Sequence, residues 1–369
     1  MDLNRRLFSF VSGLLVGVSL FAQPVDGSGG KFNFYKETMA LQKAIDKNFY
    51  EPAAGFYKET VTVEKDKNAY SYLWPLCGLI QANNEIDRLN GGHKLLTNTL
   101  NIIQEYYDPA PPSPGYASYI TKYKGGDRFY DDNQWIGIAC MDAYQRDKKP
   151  ALVHQGKLIY QYMMTGFDTV LGGGLYWQEN KKVSKNTCSN GPGIILALQL
   201  YQATKKQTYL DTALMLYDWV NDQLKAPSGL YYDNMQTGTH NIGKHIFSYN
   251  TGTMLQSNIY LYEITKDKKY LSKAIAIADT SMPYFYGKGK FRDDYWFNAV
   301  LLRGYQHLLK YHSDKKYIRA FQVCTEEALL NNKNSIGLMG KDKPLELVPQ
   351  SGMLEILARF AYLEKTNQL

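Results

Sequence analysis

The four cysteines, Cys77, Cys140, Cys188 and Cys324, stand far apart and form neither a metal-ligand spacing nor a disulfide framework. They read as small buried residues. The six histidines contain no HxxH or HExxH pattern, so no metal site is expected, and nothing calls for a cofactor. Proline- or serine-rich linkers, low-complexity tracts and long blocks of like charge are missing, which leaves nothing to divide the chain. Sustained alternation of apolar and polar residues is nearly absent, which excludes a β-sandwich or β-barrel. No apolar run reaches the ~20 residues of a membrane-spanning helix.

The longest apolar run, Leu7 to Phe21, follows Arg5 and Arg6 and ends at Ala22, the pattern of a cleaved signal peptide over residues 1–22. Leu20 is larger than the cleavage pattern prefers, so a retained anchor is the alternative. A flexible N-terminal segment is expected over residues 23–31 and a single folded domain over 32–369. Such a protein is secreted, with the periplasm as its expected destination and no stable membrane insertion once the leader is removed.

The net charge of +7 comes with lysines gathered in short turns such as Lys205-Lys206 and Lys266-Asp267-Lys268-Lys269. These read as solvated surface, and a nucleic-acid partner is not expected. Aromatics make up 14% of the chain, with 31 tyrosines. Pyranose rings stack on aromatic faces, so the composition leans toward a carbohydrate ligand, although tyrosines also fill ordinary cores.

From Phe32 onward apolar residues recur at helical spacing, and the chain reads as all-α. Turn signals place helices over 33–49, 70–84, 91–107, 131–145, 150–166, 190–204, 208–224, 249–266, 269–281, 292–312, 315–331 and 349–366. One element repeats: Leu200-Tyr201-Gln202-Ala203-Thr204, a lysine turn, then Tyr209-Leu210-Asp211. It returns as Leu261-Tyr262-Glu263-Ile264-Thr265, a turn, then Tyr270-Leu271-Ser272. Turns after the even-numbered helices are short, whereas most connections before them are long. Six hairpins with one short and one long end imply an (α/α)6 barrel, its even-numbered helices inside and its long loops carrying the site. An open solenoid of hairpins shares the periodicity but does not require such loops.

The starts of the expected inner helices bring together Tyr70, Tyr72 and Trp74; Asp131, Asp132, Asn133 and Trp135; Asn186, Ser189 and Asn190; Tyr249 and Asn250; Asp293, Asp294 and Trp296; and Gln350 with Ser351. Acids, amides and aromatic rings in one place suit a sugar site. Consecutive aspartates, with Cα atoms ~3.8 Å apart, match the short carboxyl separation of retaining glycosidases, ~5–5.5 Å, better than the wider inverting one. At a helix N-terminus one carboxylate is stabilised as an anion, and its charge keeps the neighbour protonated. Aspartate is also a favoured helix-capping residue, and Asp293-Asp294 mimics the first pair.

Arg128-Phe129-Tyr130-Asp131-Asp132-Asn133-Gln134-Trp135-Ile136-Gly137 resembles the active-site motif of glycoside hydrolase family 76, the bacterial endo-α-1,6-mannanases. Gly172-Gly173-Gly174-Leu175-Tyr176-Trp177, Lys185-Asn186 with Ser189-Asn190-Gly191, and Tyr249-Asn250-Thr251-Gly252 resemble further family segments in the same order. The resemblance implies an (α/α)6 fold, with Asp131 as nucleophile and Asp132 as general acid/base of a retaining enzyme that cuts the α-1,6-mannan backbone. Tyr130, Trp135, Tyr176, Trp177, Asn186, Asn190, Tyr249 and Asn250 are the substrate-binding residues it implies. Trp177 either stacks on a mannose or closes a hairpin. Asn186 and Asn190 either read sugar hydroxyls or cap a helix. After Ser281 the resemblance is weaker, and the family's relatives include fungal proteins thought to act as transglycosylases. Another six-hairpin glycosidase and a noncatalytic glycan-binding protein are the alternatives.

Overall fold

The computed structural model describes residues 32–63, 68–341 and 344–369. The expected leader and flexible segment, residues 1–31, lie outside the described residues. Twelve α-helices are described: α1 (Phe34–Phe49), α2 (Leu73–Asn90), α3 (Lys94–Ile103), α4 (Tyr130–Asp147), α5 (Pro150–Met164), α6 (Thr187–Thr204), α7 (Gln207–Gln223), α8 (Ser248–Thr265), α9 (Lys268–Tyr286), α10 (Tyr295–Leu308), α11 (Lys316–Asn332) and α12 (Leu347–Lys365). Among the described residues no helix is long and apolar enough to cross a membrane.

The even-numbered helices pack on one another in a ring, α2 on α4, α4 on α6, and so on to α12, which closes on α2. Each outer helix packs against the inner helix before it, and α1 covers α12. This is the (α/α)6 barrel that the hairpin pattern implied. Inner helices are buried on all sides: in α6 every residue from Thr187 to Leu200 is buried. A helix without a polar face belongs inside.

The short turns share one device. Gly91, Lys148, Lys205 and Lys266 end α2, α4, α6 and α8 in the left-handed conformation, with φ of 70°, 54°, 59° and 61°. Each donates its backbone N–H to a carbonyl four residues earlier and lets the outer helix start at once. The recurring lysine turn of the sequence is this cap.

The long ends also share a device, an amide at the fourth residue of an inner helix. Asn133, Asn190 and Asn298 donate to the carbonyls of the capping residues Phe129, Asn186 and Asp294, each at 2.8 Å. Asn133 also exchanges two hydrogen bonds with the Tyr116 backbone, at 2.7 and 3.0 Å, and Asn190 two with Leu175, at 2.7 and 3.0 Å. Gln350, also fourth in its helix, does the same with Met339. Buried amides thus satisfy loop backbone that would otherwise lose its hydrogen bonds, and fix the loops before α4, α6, α10 and α12 onto the barrel rim.

Several helix boundaries differ from the sequence reading. Helix α2 runs on to Asn90, past the expected 84, and α6 starts at Thr187, before the expected 190. Helix α9 passes the expected end at 281 and runs through Pro283 to Tyr286, although proline lacks an N–H and usually marks a boundary. Short strands also appear where none were expected. Two hairpins pair β1 (Tyr50–Glu51) with β2 (Phe56–Tyr57) and β3 (Tyr107–Asp108) with β4 (Gly115–Tyr116). A three-stranded antiparallel sheet joins β5 (Ser184–Asn186), β6 (Asn234–Gln236) and β7 (Ile242–Gly243). Strands of two or three residues are too short to display an alternating pattern.

Candidate active site

The N-terminal ends of the inner helices open into one cavity of about 720 Å³. Asp131 and Asp132, second and third residues of α4, line it together with Trp74, Cys188, Asp233 and Tyr249. Asp131 Oδ2 accepts a hydrogen bond from Trp177 Nε1 at 3.2 Å. Its Oδ1 accepts no hydrogen bond among the described residues, which leaves a lone pair available to a sugar carbon. Burial raises the Asp131 pKa to about 6; the neighbouring Cys188 thiol, the helix N–H groups at the start of α4 and Trp177 oppose that rise. Burial, and then the Asp131 charge, push Asp132 well above the ordinary carboxyl range. Above pH 6 the pair therefore holds one anion beside one acid, the two states that double displacement needs.

Two loops aim Trp177 at Asp131. Its carbonyl accepts from Tyr130 N at 3.0 Å, and its N–H donates to Ser184 O at 3.3 Å. Upstream, the buried Lys185 ammonium donates to Asp168 Oδ1 at 2.7 Å and to the Val170 and Gly173 carbonyls at 2.8 Å. Gly174 has φ of 80°, and a Cβ there would come within 2.6 Å of the Trp219 ring, so the glycine run lets this loop lie flat on α7. Arg128, also buried, grips Glu179 with two 2.7 Å bonds and takes the Ala110, Pro111 and Ser113 carbonyls at 3.0–3.1 Å. Motif residues Arg128 and Lys185 thus hold the loops of the site together.

Trp135, Trp177, Asn186 and Tyr249, four of the residues read from the sequence as substrate-binding, line the cavity. Asn250 lies behind the wall and donates to Asp233 Oδ1 at 3.4 Å. Tyr130, Tyr176 and Asn190 do not face the cavity, which corrects their expected part as sugar contacts. Tyr130 is fully buried, stacked on Tyr162 at 5.1 Å with its hydroxyl 3.3 Å from Thr165 Oγ1. The Tyr176 hydroxyl donates to Asp168 Oδ2 at 2.9 Å, and Asn190 is the loop-fixing amide of α6. Tyr130 and Tyr176 sit beside the cavity residues Asp131 and Trp177 in sequence, but neighbouring side chains point about 100° apart on helix α4 and to opposite sides of the extended Tyr176-Trp177 segment.

Among the cavity residues that escaped the sequence reading, Cys188 and Asp233 stand nearest the chemistry. Cys188 sits at the second position of α6, beside Asp131. Asp233 precedes β6, whose pairing Asn186↔Asn234 carries it to the α6 N-terminus; Thr187 N donates to Asp233 O at 2.8 Å. Burial raises the Asp233 carboxyl as well. The run Tyr231-Tyr232-Asp233-Asn234 signalled only an aromatic loop.

The second aspartate pair is capping chemistry. Asp294 Oδ1 accepts from Trp296 N at 2.9 Å at the start of α10, and Asp293 Oδ2 accepts from Ser248 N at 2.6 Å at the start of α8. Neither lines the cavity. Asp293→Asn is expected to keep any glycan-cleaving activity within about threefold of wild type, because the amide oxygen still accepts from Ser248 N. Steady-state kinetics check this, and a loss as large as that of Asp131→Asn would put Asp293 in the chemistry.

Barrel and cavity together define a class, the (α/α)6 scaffolds with an acidic, aromatic-lined groove at the long-loop end, suited to glycan chemistry. The chain belongs to glycosyl hydrolase family 76, whose family model matches residues 36–321. The barrel superposes on a family 76 glycoside hydrolase from a bovine Bacteroides thetaiotaomicron strain with a TM-score of 0.82 and 25% identity, over 90% of this chain and 78% of that one. It also shares its fold with an inactive variant of a Salegentibacter α-1,6-mannanase, solved with α-1,6-mannotriose: TM-score 0.75, 22% identity, 89% of this chain and 99% of that one. The mannan endo-1,6-alpha-mannosidase DCW1 of Candida glabrata is 30% identical over 171 residues, 42% of this chain and 38% of that protein. The chain thus spans less than half the length of that yeast relative.

Proposed function

We propose that this chain is a retaining, endo-acting α-1,6-mannanase, with Asp131 as nucleophile and Asp132 as general acid/base, and that residues 32–369 form its catalytic domain behind an export signal. The observation that carries the reading is the Asp131–Asp132 pair itself, set in a groove with one Asp131 oxygen held by Trp177 and the other accepting no hydrogen bond among the described residues. Support for the substrate comes from relatives. The Candida glabrata protein is a mannan endo-1,6-alpha-mannosidase, and the Salegentibacter variant made inactive by changing two consecutive aspartates to asparagine holds α-1,6-mannotriose.

In this mechanism Asp131 attacks the anomeric carbon while Asp132 protonates the departing glycosidic oxygen; Asp132 then takes a proton from the water that releases the sugar. Trp135, Trp177 and Tyr249 offer ring faces, and Asn186 an amide, around the sugar being cut. Incubation with debranched α-1,6-mannan is expected to release reducing ends as a ladder of oligosaccharides. Binding without release would make the chain a noncatalytic glycan receptor, and release of mannose alone would make it exo-acting.

The pH dependence follows from the pair. Asp131 must be ionised and Asp132 protonated, so kcat/KM is expected to fall as pH drops through about 6, where Asp131 takes up its proton. It falls again on the alkaline side as Asp132 loses its own. A profile that stays flat down to about pH 4, the ordinary carboxyl range, would remove the buried anion from the mechanism.

A further inference from the structure

A line of tyrosines runs out of the cavity across the barrel rim. Tyr72, on the cavity wall, lies 5.5 Å from Tyr119 between ring centroids. The Tyr119 hydroxyl accepts from Tyr70 N at 3.4 Å, and the Tyr70 ring stacks on Tyr123 at 5.8 Å, with 22° between planes. At the start and end of this line the rings stand in solvent, Tyr72 being 40% and Tyr123 55% exposed. Tyr70 is partly exposed, and Tyr119, 4% exposed, lies beneath the row as its support; large apolar surface left in water costs stability, so the exposed rings of Tyr72, Tyr70 and Tyr123 point to a partner.

The row is also rigid before any partner arrives. Tyr72 N donates to Glu59 Oε2 at 2.8 Å, Ser71 Oγ donates to the same oxygen at 3.0 Å, and the Tyr106 hydroxyl donates to Ser71 O at 2.6 Å. Leu73 N bonds Ser118 O, and Ser118 N bonds Asp127 O, both at 2.9 Å, which ties the Tyr70–Tyr72 segment to the loop carrying Tyr119 and Tyr123. Lys122, paired with Glu105 at 2.9 Å, lies over the Phe56 and Tyr123 rings and props the outer end. A preorganised surface loses little freedom on binding.

We infer that Tyr72, Tyr70 and Tyr123, backed by the buried Tyr119, form an extension track for the polysaccharide, receiving α-linked mannose units of the same chain beyond those held over Asp131 and Asp132. This rests on the mannanase reading and adds to it the side on which the chain leaves the cavity and the residues that favour polymer over oligosaccharide. Stacking acts through ring faces, so the track strengthens binding and leaves the bond-breaking step alone.

The test is the chain-length dependence of KM. For Tyr72→Ala/Tyr123→Ala, KM on linear α-1,6-mannan is expected to rise about tenfold more than KM on α-1,6-mannotetraose, a tenfold ratio matching ~1.4 kcal/mol of lost contact. The Tyr72→Phe/Tyr123→Phe variant keeps the ring faces and should retain most of the wild-type ratio. Equal losses on both substrates, or no rise on the polymer, would overturn the track. Gel electrophoresis through linear mannan, in an Asp131→Asn background, reads binding without catalysis. Retardation abolished by the two alanines supports the track even if the wild type cuts nothing, and retardation that survives them refutes it.

Discussion

Asp131→Asn is expected to abolish turnover on natural and activated substrates alike, by more than about 10⁴-fold, the scale seen when a covalent nucleophile is removed. An amide cannot form the glycosyl ester, and no leaving group, however good, replaces it. The fold should survive, because the asparagine oxygen still accepts from Trp177 Nε1, now 3.2 Å from the carboxylate. Stability should in fact rise at neutral pH. Burial lifts the folded-state pKa of Asp131 to about 6, above its unfolded value near 4, so the folded protein holds that proton more tightly. Ionising the group destabilises the fold, a penalty absent below pH 4 and complete above 6. Removing the charge should therefore raise Tm by roughly 2 °C at pH 7.5 and change it little at pH 3.5. Calorimetry at the two pH values, beside initial rates, separates the explanations. Lost activity with a lower Tm at both would mean structural damage, and residual turnover with a wild-type pH profile would place the nucleophile elsewhere.

That stability cost is visible in the sequence only as two adjacent acids, and the same holds for the rest of the site. Helix positions were legible because apolar residues at 3.6-residue spacing must face a core, and the lysine turns between Thr204 and Gln207 and between Thr265 and Lys268 signalled the short hairpins. The pair at the start of α4 was legible through its motif. What could not be read is direction and convergence. Tyr130 and Asp131 are chain neighbours, yet one stacks on Tyr162 in the core and the other lines the cavity. Asp233 and Cys188 reach the cavity from different segments, brought together by closure of the six inner helices into a ring and by a three-residue strand pairing. The second pair looked equivalent in sequence. Only the positions of Ser248 N and Trp296 N show that it ends two helices instead of facing substrate.

Asp132→Asn should fail differently from Asp131→Asn, and that difference distinguishes an acid from a nucleophile. On mannan the loss is expected to be about 10²–10⁴-fold, the usual worth of a positioned proton donor. With an aryl or fluoride mannoside, whose leaving group departs without a proton, the first step should recover while the second stays slow, because the same residue activates the water. A rapid burst of leaving group, then near-arrest, with one glycosyl unit trapped on the peptide containing Asp131, is the expected record by stopped-flow absorbance and mass spectrometry. Two inversions at one carbon also fix the stereochemistry, so proton NMR of the first product released by the wild type should show the α-anomer. A β-anomer would mean a single inversion, with water activated by a carboxyl farther from the acid than a chain neighbour stands. Asp293 and Asp294, occupied as helix caps, cannot supply it. Asp233, on the cavity wall beside the start of α6, then becomes the base, and Asp233→Asn should abolish turnover on mannan, whereas under retention it should keep a measurable rate with the α product unchanged.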